Sequence, residues 1–296
     1  MAVQMIGSTV PRRQLGRALR EARMQGRFTV RAAAKALEWS EAKMWRIETG
    51  QVSMRTLDVE AMCRVYGVAP ALTEALKGLA SETKARGWWH DYGDAIPEWF
   101  DIFVALEGAA REMRIYESVL IAGLCQTSEY TRVVLAANDV DLTAEELERR
   151  VLVRMHRQSL ATRSVDPVVL DVVLNETVVR RPVGGAAVMA AQCRHLIQLG
   201  ELDNVTVRVV PDASGMHLGL NSGPFTIMRF PVTGDGTELE PPTVYAEGYT
   251  GALYLDQPHQ VARFDTVFAD LLATIRDENG QRSKALLIDA MRGHGG

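Results

Sequence analysis

The sequence predicts an α+β protein with an all-helical N-terminal region, a helical middle segment and a mixed α+β C-terminal domain. Apolar residues recur at every third or fourth position as far as about Thr162, which is typical of amphipathic helices. Beyond Asp166-Pro167, short runs rich in β-branched and aromatic residues lie between Gly and Pro turns, as strands do. The length of 296 residues suggests about two domains. We expect boundaries that give the segments 1–80, 81–165 and 166–296.

The first N-terminal helix has an apolar stripe of Leu15, Leu19 and Ala22 and is expected to end at Gly26. Its arginines are expected on the solvent face: Arg12, Arg13, Arg20 and Arg23. A later helix of this region has apolar residues at i, i+3, i+4 and i+7, namely Val59, Met62, Cys63 and Tyr66. Gly67 is expected to end that helix, because glycine readily adopts the left-handed conformation found at helix ends.

Two short helices are predicted between these. Thr29 is expected to cap the first and Ser40 the second, because a side-chain hydroxyl accepts a hydrogen bond from a free amide of the first turn. The second helix runs over about residues 41–49 and is expected to bury Met44 and Ile47. A capped helix, a tight turn and a second capped helix together form the layout of a helix-turn-helix.

This layout predicts DNA binding, although any two-helix hairpin shares part of it. The second helix of such a motif enters the major groove, which is about 12 Å wide, and its first turn meets the base edges. Ala33 and Ala34 are small, as the close crossing of the two helices requires. We predict DNA contacts from the following residues: Arg27, Thr29, Ser40, Glu41, Ala42, Lys43, Trp45, Arg46 and Arg55.

The predicted DNA contacts divide into two groups. Base contacts are expected from the start of the second helix, at Glu41, Ala42 and Lys43. Phosphate contacts are expected from Arg27, Thr29 and Arg46. For Arg46, an ion pair with a carboxylate of the same region is the alternative role.

The charge distribution supports the same hypothesis. Residues 1–70 carry twelve lysines and arginines against six acidic residues, a net charge of +6. The whole chain carries −4, which leaves −10 for the remainder. A basic head on an acidic body suits a protein whose N-terminal region binds a polyanion. A basic helical surface without a ligand is the alternative interpretation.

The rest of the chain changes from helices to strands. Thr143 and Glu146 have the spacing of a capping box, which opens a helix expected to reach about Ser159. Before it, the helical pattern runs through Phe103 and Met113, whose spacing favours a core position. Strands are expected at 168–174, 205–210, 225–230 and 243–255, and helices at about 185–199 and 259–276.

Several classes of protein are not expected. Three cysteines far apart, with no CxxC, argue against a disulfide scaffold and a four-cysteine zinc site. The sequence has no apolar run of about 18–20 residues and no signal-peptide pattern, so we expect a cytoplasmic, nucleoid-associated protein. It lacks GxSxG, GxGxxG, P-loop and HExxH motifs, and its histidines lack metal-ligand spacing. We therefore predict no enzyme, no metal and no cofactor; a spatial cluster such as His217 with Ser222 or Cys193 stays open.

Residues 15–68, with the run from Trp39 to Gly50, resemble the XRE, or lambda-repressor-like, class of helix-turn-helix domains. Further motifs resemble one family, the actinobacterial WhiJ-like or antitoxin-like XRE regulators: Gly87-Trp88-Trp89-His90, Pro97-Glu98-Trp99-Phe100, Tyr116-Glu117, Gln126-Thr127, Arg180-Arg181-Pro182-Val183-Gly184-Gly185, Gly223-Pro224-Phe225 and Gly251-Ala252-Leu253-Tyr254-Leu255. The resemblance implies a transcription factor whose C-terminal domain has no established ligand. It also implies that a small partner protein is often encoded beside it.

The chain departs from this family at a few positions. Trp45 stands where a small serine is usual, and Glu41 where glutamine is common. Ser118 and Ala122 replace residues that are often proline. None of these departures removes the helix-turn-helix pattern.

From these features we predict a homodimeric, sequence-specific transcriptional regulator that binds a double-stranded DNA operator and does not bind a membrane. Its C-terminal domain is expected to receive a small-molecule or protein signal. The alternative is an antitoxin-like interaction protein that sequesters a small partner, encoded by an adjacent gene, and autoregulates its own operon.

Candidate residues for an effector pocket are Arg181, His217, Tyr245 and Glu247. The alternative for Arg181 is an ion pair, and the alternative for His217 is a solvated Gly-rich turn. Tyr245 and Glu247 alternate onto one face of a strand, and if that face is inward, Glu247 is a buried carboxylate that needs a partner. The aromatic run 88–90 either packs or forms a ligand wall.

Overall fold

The structure, a computed structural model, describes residues 9–83, 98–139, 141–232, 238, 240–248, 251–277 and 280–295. The chain divides into two units: Met1–Asp91 with Val104–Ala109, and Tyr92–Phe103 with Ala110–Gly296. Among the described residues, no helix combines the length and the apolar character needed to cross a membrane.

The first unit begins with five helices: α1 (Thr9–Gln25), α2 (Val30–Ala36), α3 (Glu41–Glu48), α4 (Thr56–Tyr66) and α5 (Pro70–Glu82). Their apolar faces form one core that includes Leu15, Leu19, Met44, Ile47 and Met62, as the periodicity predicts. α4 ends at Gly67 in the left-handed conformation, which confirms the predicted stop.

A glycine makes the contact of α1 with α3 possible. A Cβ atom on Gly16 would lie 2.5 Å from the carbonyl oxygen of Ile47 and 3.0 Å from that of Glu48. Both atoms belong to the backbone, so they cannot rotate away. The two helices therefore approach more closely than a side chain at residue 16 would allow.

Two arginines of α1 do not face solvent, so that part of the prediction is wrong. Arg13 and Arg23 are buried. Arg23 donates from Nε to Oε1 of Glu48 at 2.6 Å and from Nη2 to Oε2 at 2.9 Å. Arg13 packs on Gly50, where a Cβ would lie 2.7 Å from the Arg13 Cα. Paired charges and long aliphatic stems allow arginine to be buried.

The remaining elements are, in chain order, α6 (Glu98–Ala109), β1 (Glu112–Glu117), α7 (Ser128–Asn138), α8 (Ala144–Thr162), β2 (Val169–Asn175), α9 (Glu176–Arg180), α10 (Ala186–Leu199), β3 (Val205–Val210), α11 (Gly219–Ser222), β4 (Phe225–Arg229), β5 (Thr243–Gly248), β6 (Gly251–Leu255), α12 (Pro258–Ile275) and α13 (Gln281–Gly293). The capping box of α8 is present, with both the Thr143 and the Glu146 hydrogen bonds. The described part thus has a helical head followed by an α+β region, which confirms the predicted fold class.

The six strands form one mixed sheet in the order β3-β2-β1-β4-β5-β6. β1, β2 and β3 run parallel, whereas β4, β5 and β6 pair antiparallel. One core cluster joins this sheet to α12 and includes Tyr116, Phe225, Ile227, Phe268 and Leu271. The run 243–255, expected to be extended, is the β5–β6 pair.

β1 corrects the expected helical pattern through Met113. Residues 112–117 form a strand, with Glu112 opposite Val169 on one side and Arg229 on the other. The sequence of this segment alternates between polar and apolar residues, which also fits a strand. Hydrogen bonding to β2 on one side and to β4 on the other stabilises the strand over the helix, and both partners are distant in sequence.

Candidate functional site

The predicted DNA-binding motif has the expected local geometry. Oγ1 of Thr29 accepts a hydrogen bond from the amide of Ala32 at 3.1 Å, and Oγ of Ser40 accepts one from the amide of Lys43 at 3.1 Å. Between the helices, Glu38 has a φ of 58°, in the left-handed region. This residue turns the chain sharply, and α2 and α3 follow one another as two capped helices.

The two faces of α3 differ as the sequence predicts. Met44 and Ile47 are fully buried in the core of the first unit. Glu41, Ala42 and Arg46 are exposed, and Trp45 is 57% exposed despite its large apolar ring. A helix anchored on one side and open on the other can enter a groove without unfolding.

Lys43, one of the predicted base contacts, lies against an aromatic ring of the same unit. It is half-buried, and its Nζ atom lies 3.4 Å from the ring centroid of Trp39. An ammonium group over an indole is attracted by the negative face of the ring. Trp39 was not among the predicted site residues, although an aromatic residue four positions before a lysine is a visible signal for such a contact.

Arg46, unlike Lys43, is exposed. Within the described part of the chain it makes no ion pair, so the structure gives no support to the alternative role predicted for it. Arg27, Thr29, Ser40 and Arg55 are also exposed, in the segments that flank α2, α3 and α4. Eight of the nine predicted DNA-contacting residues are therefore exposed, and Lys43 is the half-buried one.

A buried ion pair holds the motif to α1. Besides its two bonds to Glu48, Arg23 donates from Nη1 to the carbonyl of Phe28 at 2.7 Å. The hydrogen bond to Glu48 raises the pKa of the Arg23 guanidinium. The hydroxyl of Tyr66 is buried with no hydrogen-bond partner in the described residues, and burial raises its pKa. Through Arg23, α1 thus holds both Glu48 at the end of α3 and Phe28 just before α2.

The four candidate effector residues do not line one common cavity. His217 lines a cavity of about 150 Å³, whose other lining residues are Asn175, Thr177, Val210, Pro211, Asp212, Gly215 and Leu220. Only 6% of His217 is exposed, so it does not lie in a solvated turn. Arg181, Tyr245 and Glu247 do not line this cavity.

Tyr245 and Glu247 do share one face of β5, as alternation predicts. The Tyr245 hydroxyl donates to Oε2 of Glu247 at 2.8 Å, and the Tyr245 ring lies 4.3 Å from that of Phe103. Glu247 itself is exposed rather than buried. Burial, followed by the charge of Glu247, raises the pKa of Glu117 to about 8.

The remaining candidates are placed as follows. Arg181 is exposed and donates to the carbonyl of Val119 at 3.1 Å, while its neighbour Arg180 forms ion pairs with Glu176 and Asp289. The aromatic run 88–90 lies outside the described residues.

The cluster left open as a possible catalytic group is not formed. The Ser222 hydroxyl bonds to the carbonyls of Gly219 and Gly223, and the Cys193 thiol donates to the carbonyl of Val179 at 3.8 Å. Among the residues that the structure describes, no group of three or more His, Cys, Asp or Glu side chains could hold a metal ion.

Comparison with known families agrees with the two regions seen in the fold. A helix-turn-helix domain model matches residues 14–76, which makes the protein a DNA-binding regulator. The model of a domain of unknown function, DUF5753, matches residues 100–279, more than half of the chain. No curated protein and no solved structure shows significant similarity to the chain. The protein therefore belongs to the DUF5753 family and carries an N-terminal helix-turn-helix domain.

Proposed function

We propose that the protein is a dimeric, sequence-specific transcriptional regulator of the WhiJ-like type, whose C-terminal domain receives a small-molecule or protein signal. The observation that carries this proposal is the helix-turn-helix whose second helix is buried on one face and exposed on the other. A regulator of this kind acts on DNA at the nucleoid, in the cytoplasm.

The exposed residues divide by the chemistry they offer. Arg46 has no ion pair among the described residues and a flexible cationic side chain, which suits a phosphate. Arg27 and Thr29 lie at the start of α2, where free amides and the helix dipole favour a phosphate as well. Glu41, Ala42 and Lys43 form the first turn of α3, the part that meets base edges.

Lys43 reads a base in this proposal only after its ammonium leaves the Trp39 ring. A guanine offers two acceptors, O6 and N7, which compensate for the lost contact. Glu41 beside it can accept from cytosine N4. The neighbouring indole of Trp45 is exposed and can pack on a sugar or on a thymine methyl group.

Genomic footprinting with the full-length protein tests the DNA-binding role. We expect protection of a small number of related sites, whereas protection spread evenly over the genome would contradict sequence specificity. Arg46→Ala is expected to weaken binding to all sequences alike and to reduce the salt slope by about 1. Arg64→Ala is a matched control, because Arg64 is an exposed arginine of α4 whose ion pair within the described residues is with Glu60.

Dimerisation follows from the size of one helix-turn-helix, which covers only a short half-site. We expect two half-sites about one helical turn apart. Light scattering at micromolar concentration, with and without the footprinted operator, measures the mass. A monomer in both conditions would contradict this part of the proposal.

The antitoxin-like alternative is favoured by a surface of the second unit. β6 lies at one edge of the sheet, where the backbone N–H and C=O groups of an edge strand can pair with another chain, and its Leu253 side chain is largely exposed. Co-purification of the product of the adjacent gene with the full chain tests it. A complex that forms equally well with an L253D variant would argue against this surface.

A further inference from the structure

The cavity around His217 lies where parallel strands end. Asn175 is the last residue of β2 and Val210 the last of β3, and the two are paired in the sheet. Thr177 of α9 and the segment that follows β3, including His217 and Leu220, supply the rest of the wall. In sheets with parallel strands, small molecules bind at the carboxyl ends of those strands.

The polar groups of this cavity are held in place by one another. The Tyr116 hydroxyl donates to Oδ1 of Asn175 at 3.2 Å, and the Thr177 hydroxyl donates to Oδ1 of Asp212 at 3.0 Å. The amide of Asp212 donates to Oε2 of Glu176 at 2.9 Å. The cavity is therefore lined by oriented groups before any ligand arrives, which lowers the entropic cost of binding.

The charge of the cavity is negative. Asp212 contributes a carboxylate, and none of the lining residues is a lysine or an arginine. A second carboxylate, that of Asp270, accepts from the amide of Leu218 at 2.8 Å and acts electrostatically on His217. Burial lowers the pKa of His217, so the imidazole does not offset these charges at neutral pH. An anion is disfavoured here and a cation is favoured.

One part of the rim of the cavity is apolar. Leu220 lines the cavity and is 51% exposed, and Met216, next to the lining residues, is 68% exposed. Nδ1 of His217 is buried and has no hydrogen-bond partner among the described residues. The volume of about 150 Å³ suits a molecule of only a few carbon atoms, since one water occupies about 30 Å³ in the liquid.

We infer that this cavity binds a small organic amine, with the ammonium group at Asp212 and the apolar part against Leu220. No group of three His, Cys, Asp or Glu side chains that could hold a metal ion occurs among the described residues, and the exposed Leu220 side chain offers apolar surface to an organic cation. Only the idea that amine binding regulates the protein rests on the proposed signal-receiving role; the binding itself does not. Binding itself is measured without DNA, so a negative result here leaves the DNA-binding proposal untouched.

The test uses three probes of nearly the same size: butylammonium, butan-1-ol and butyrate. Full-length protein labelled with ¹⁵N-histidine is titrated with each, and the imidazole signals of His217 are followed by NMR. We expect saturable shifts with butylammonium, weaker shifts with butan-1-ol and none with butyrate. Shifts that are equal for the three probes, strongest for butyrate, or absent for butylammonium would overturn the inference.

Three variants test whether butylammonium binds in this cavity. Asp212→Asn keeps the shape and the acceptor for Thr177 but removes the charge, and we expect about fivefold weaker butylammonium binding. Leu220→Trp narrows the opening and is expected to abolish the shifts. Asp203→Asn, at an exposed carboxylate outside the cavity, is the matched control and should leave the affinity unchanged. If the first two variants bind as tightly as this control, the cavity is not the site.

Discussion

The two units of this protein place their charged groups in opposite ways. In the first unit, cations such as Arg46 lie on the surface, and a carboxylate, Glu48, lies inside and is paired with Arg23. In the second unit, carboxylates border a cavity with no cationic lining residue, and the half-buried Glu117 is affected by a second carboxylate. A surface of cations suits an extended polyanion, whereas an acidic recess suits a small cation and repels DNA. The difference shows that one chain can offer a surface for a polyanion in one unit and a recess for a small cation in the other.

The largest effect is expected from breaking the internal pair of the first unit. Glu48→Ala leaves the Arg23 guanidinium buried and unpaired, which costs about 3–5 kcal/mol of stability. Hydrogen exchange of the full chain, followed over peptides of residues 9–66, measures the loss where it occurs. The control is Glu60→Ala, which removes an exposed partner of Arg64 and should cost less than about 1 kcal/mol. Equal losses would show that burial of the pair is unimportant.

The contact of α1 with α3 provides the next effect. Gly16→Ala places a methyl group against the Ile47 carbonyl, and we expect a loss of about 1–3 kcal/mol together with weaker DNA binding, because α3 must shift. Gly78→Ala, in α5, meets open space and is expected to stabilise the protein by about 0.5–1 kcal/mol. Thermal unfolding of both variants beside the wild type measures the contrast. Similar melting temperatures in the two variants would contradict the close approach.

Lys43→Ala tests whether Lys43 contacts a base or a phosphate. We expect a loss of about 1–3 kcal/mol that is confined to one base pair of the operator, because a base contact discriminates by sequence. Fluorescence anisotropy with an operator series, changed at one base pair at a time, measures it. A uniform loss at every position would instead assign Lys43 to the backbone.

The last effect depends on pH and concerns Glu117, a half-buried carboxylate of the second unit. With a pKa of about 8 in the folded protein against an ordinary 4.5, Glu117 binds a proton more strongly when folded. Its contribution to stability is present below about pH 4.5 and is lost as the pH rises through 8. Glu117→Gln should therefore be more stable relative to the wild type at pH 9 than at pH 5, because only the wild type loses stability as Glu117 ionises over this range. Urea unfolding at the two pH values checks this; a gain of the same size at both would mean that Glu117 is not protonated.

Local features of the helical head were predictable from the sequence. The hydroxyls of Thr29 and Ser40 each accept a hydrogen bond from the amide three residues further along the chain. Both partners of each cap are therefore visible in a short stretch of sequence. The alternation of Tyr245 and Glu247 is local in the same way. These features need no knowledge of the rest of the chain.

Features that depend on distant partners were not predictable. β1 is fixed by β2 and β4, which lie about 50 and 110 residues further along the chain. The burial of Arg23 depends on Glu48, 25 residues away. His217 attracted notice as a histidine in a Gly-rich loop, but its place beside Asn175 and Asp212 requires the parallel order of β2 and β3.

The stacking of Lys43 on Trp39 gives the protein an optical reporter of its own. The indole emits differently with an ammonium group on its face than with water there. If Lys43 leaves the ring to contact a base, as proposed, we expect the emission of Trp39 to change when the base is read and not when the protein first meets the duplex. Of the five tryptophans, only Trp39 and Trp45 lie in the helix-turn-helix, so replacing Trp45 by phenylalanine isolates the signal of Trp39 within the motif. Stopped-flow fluorescence can then time the reading of a base separately from the capture of the duplex, with no dye attached.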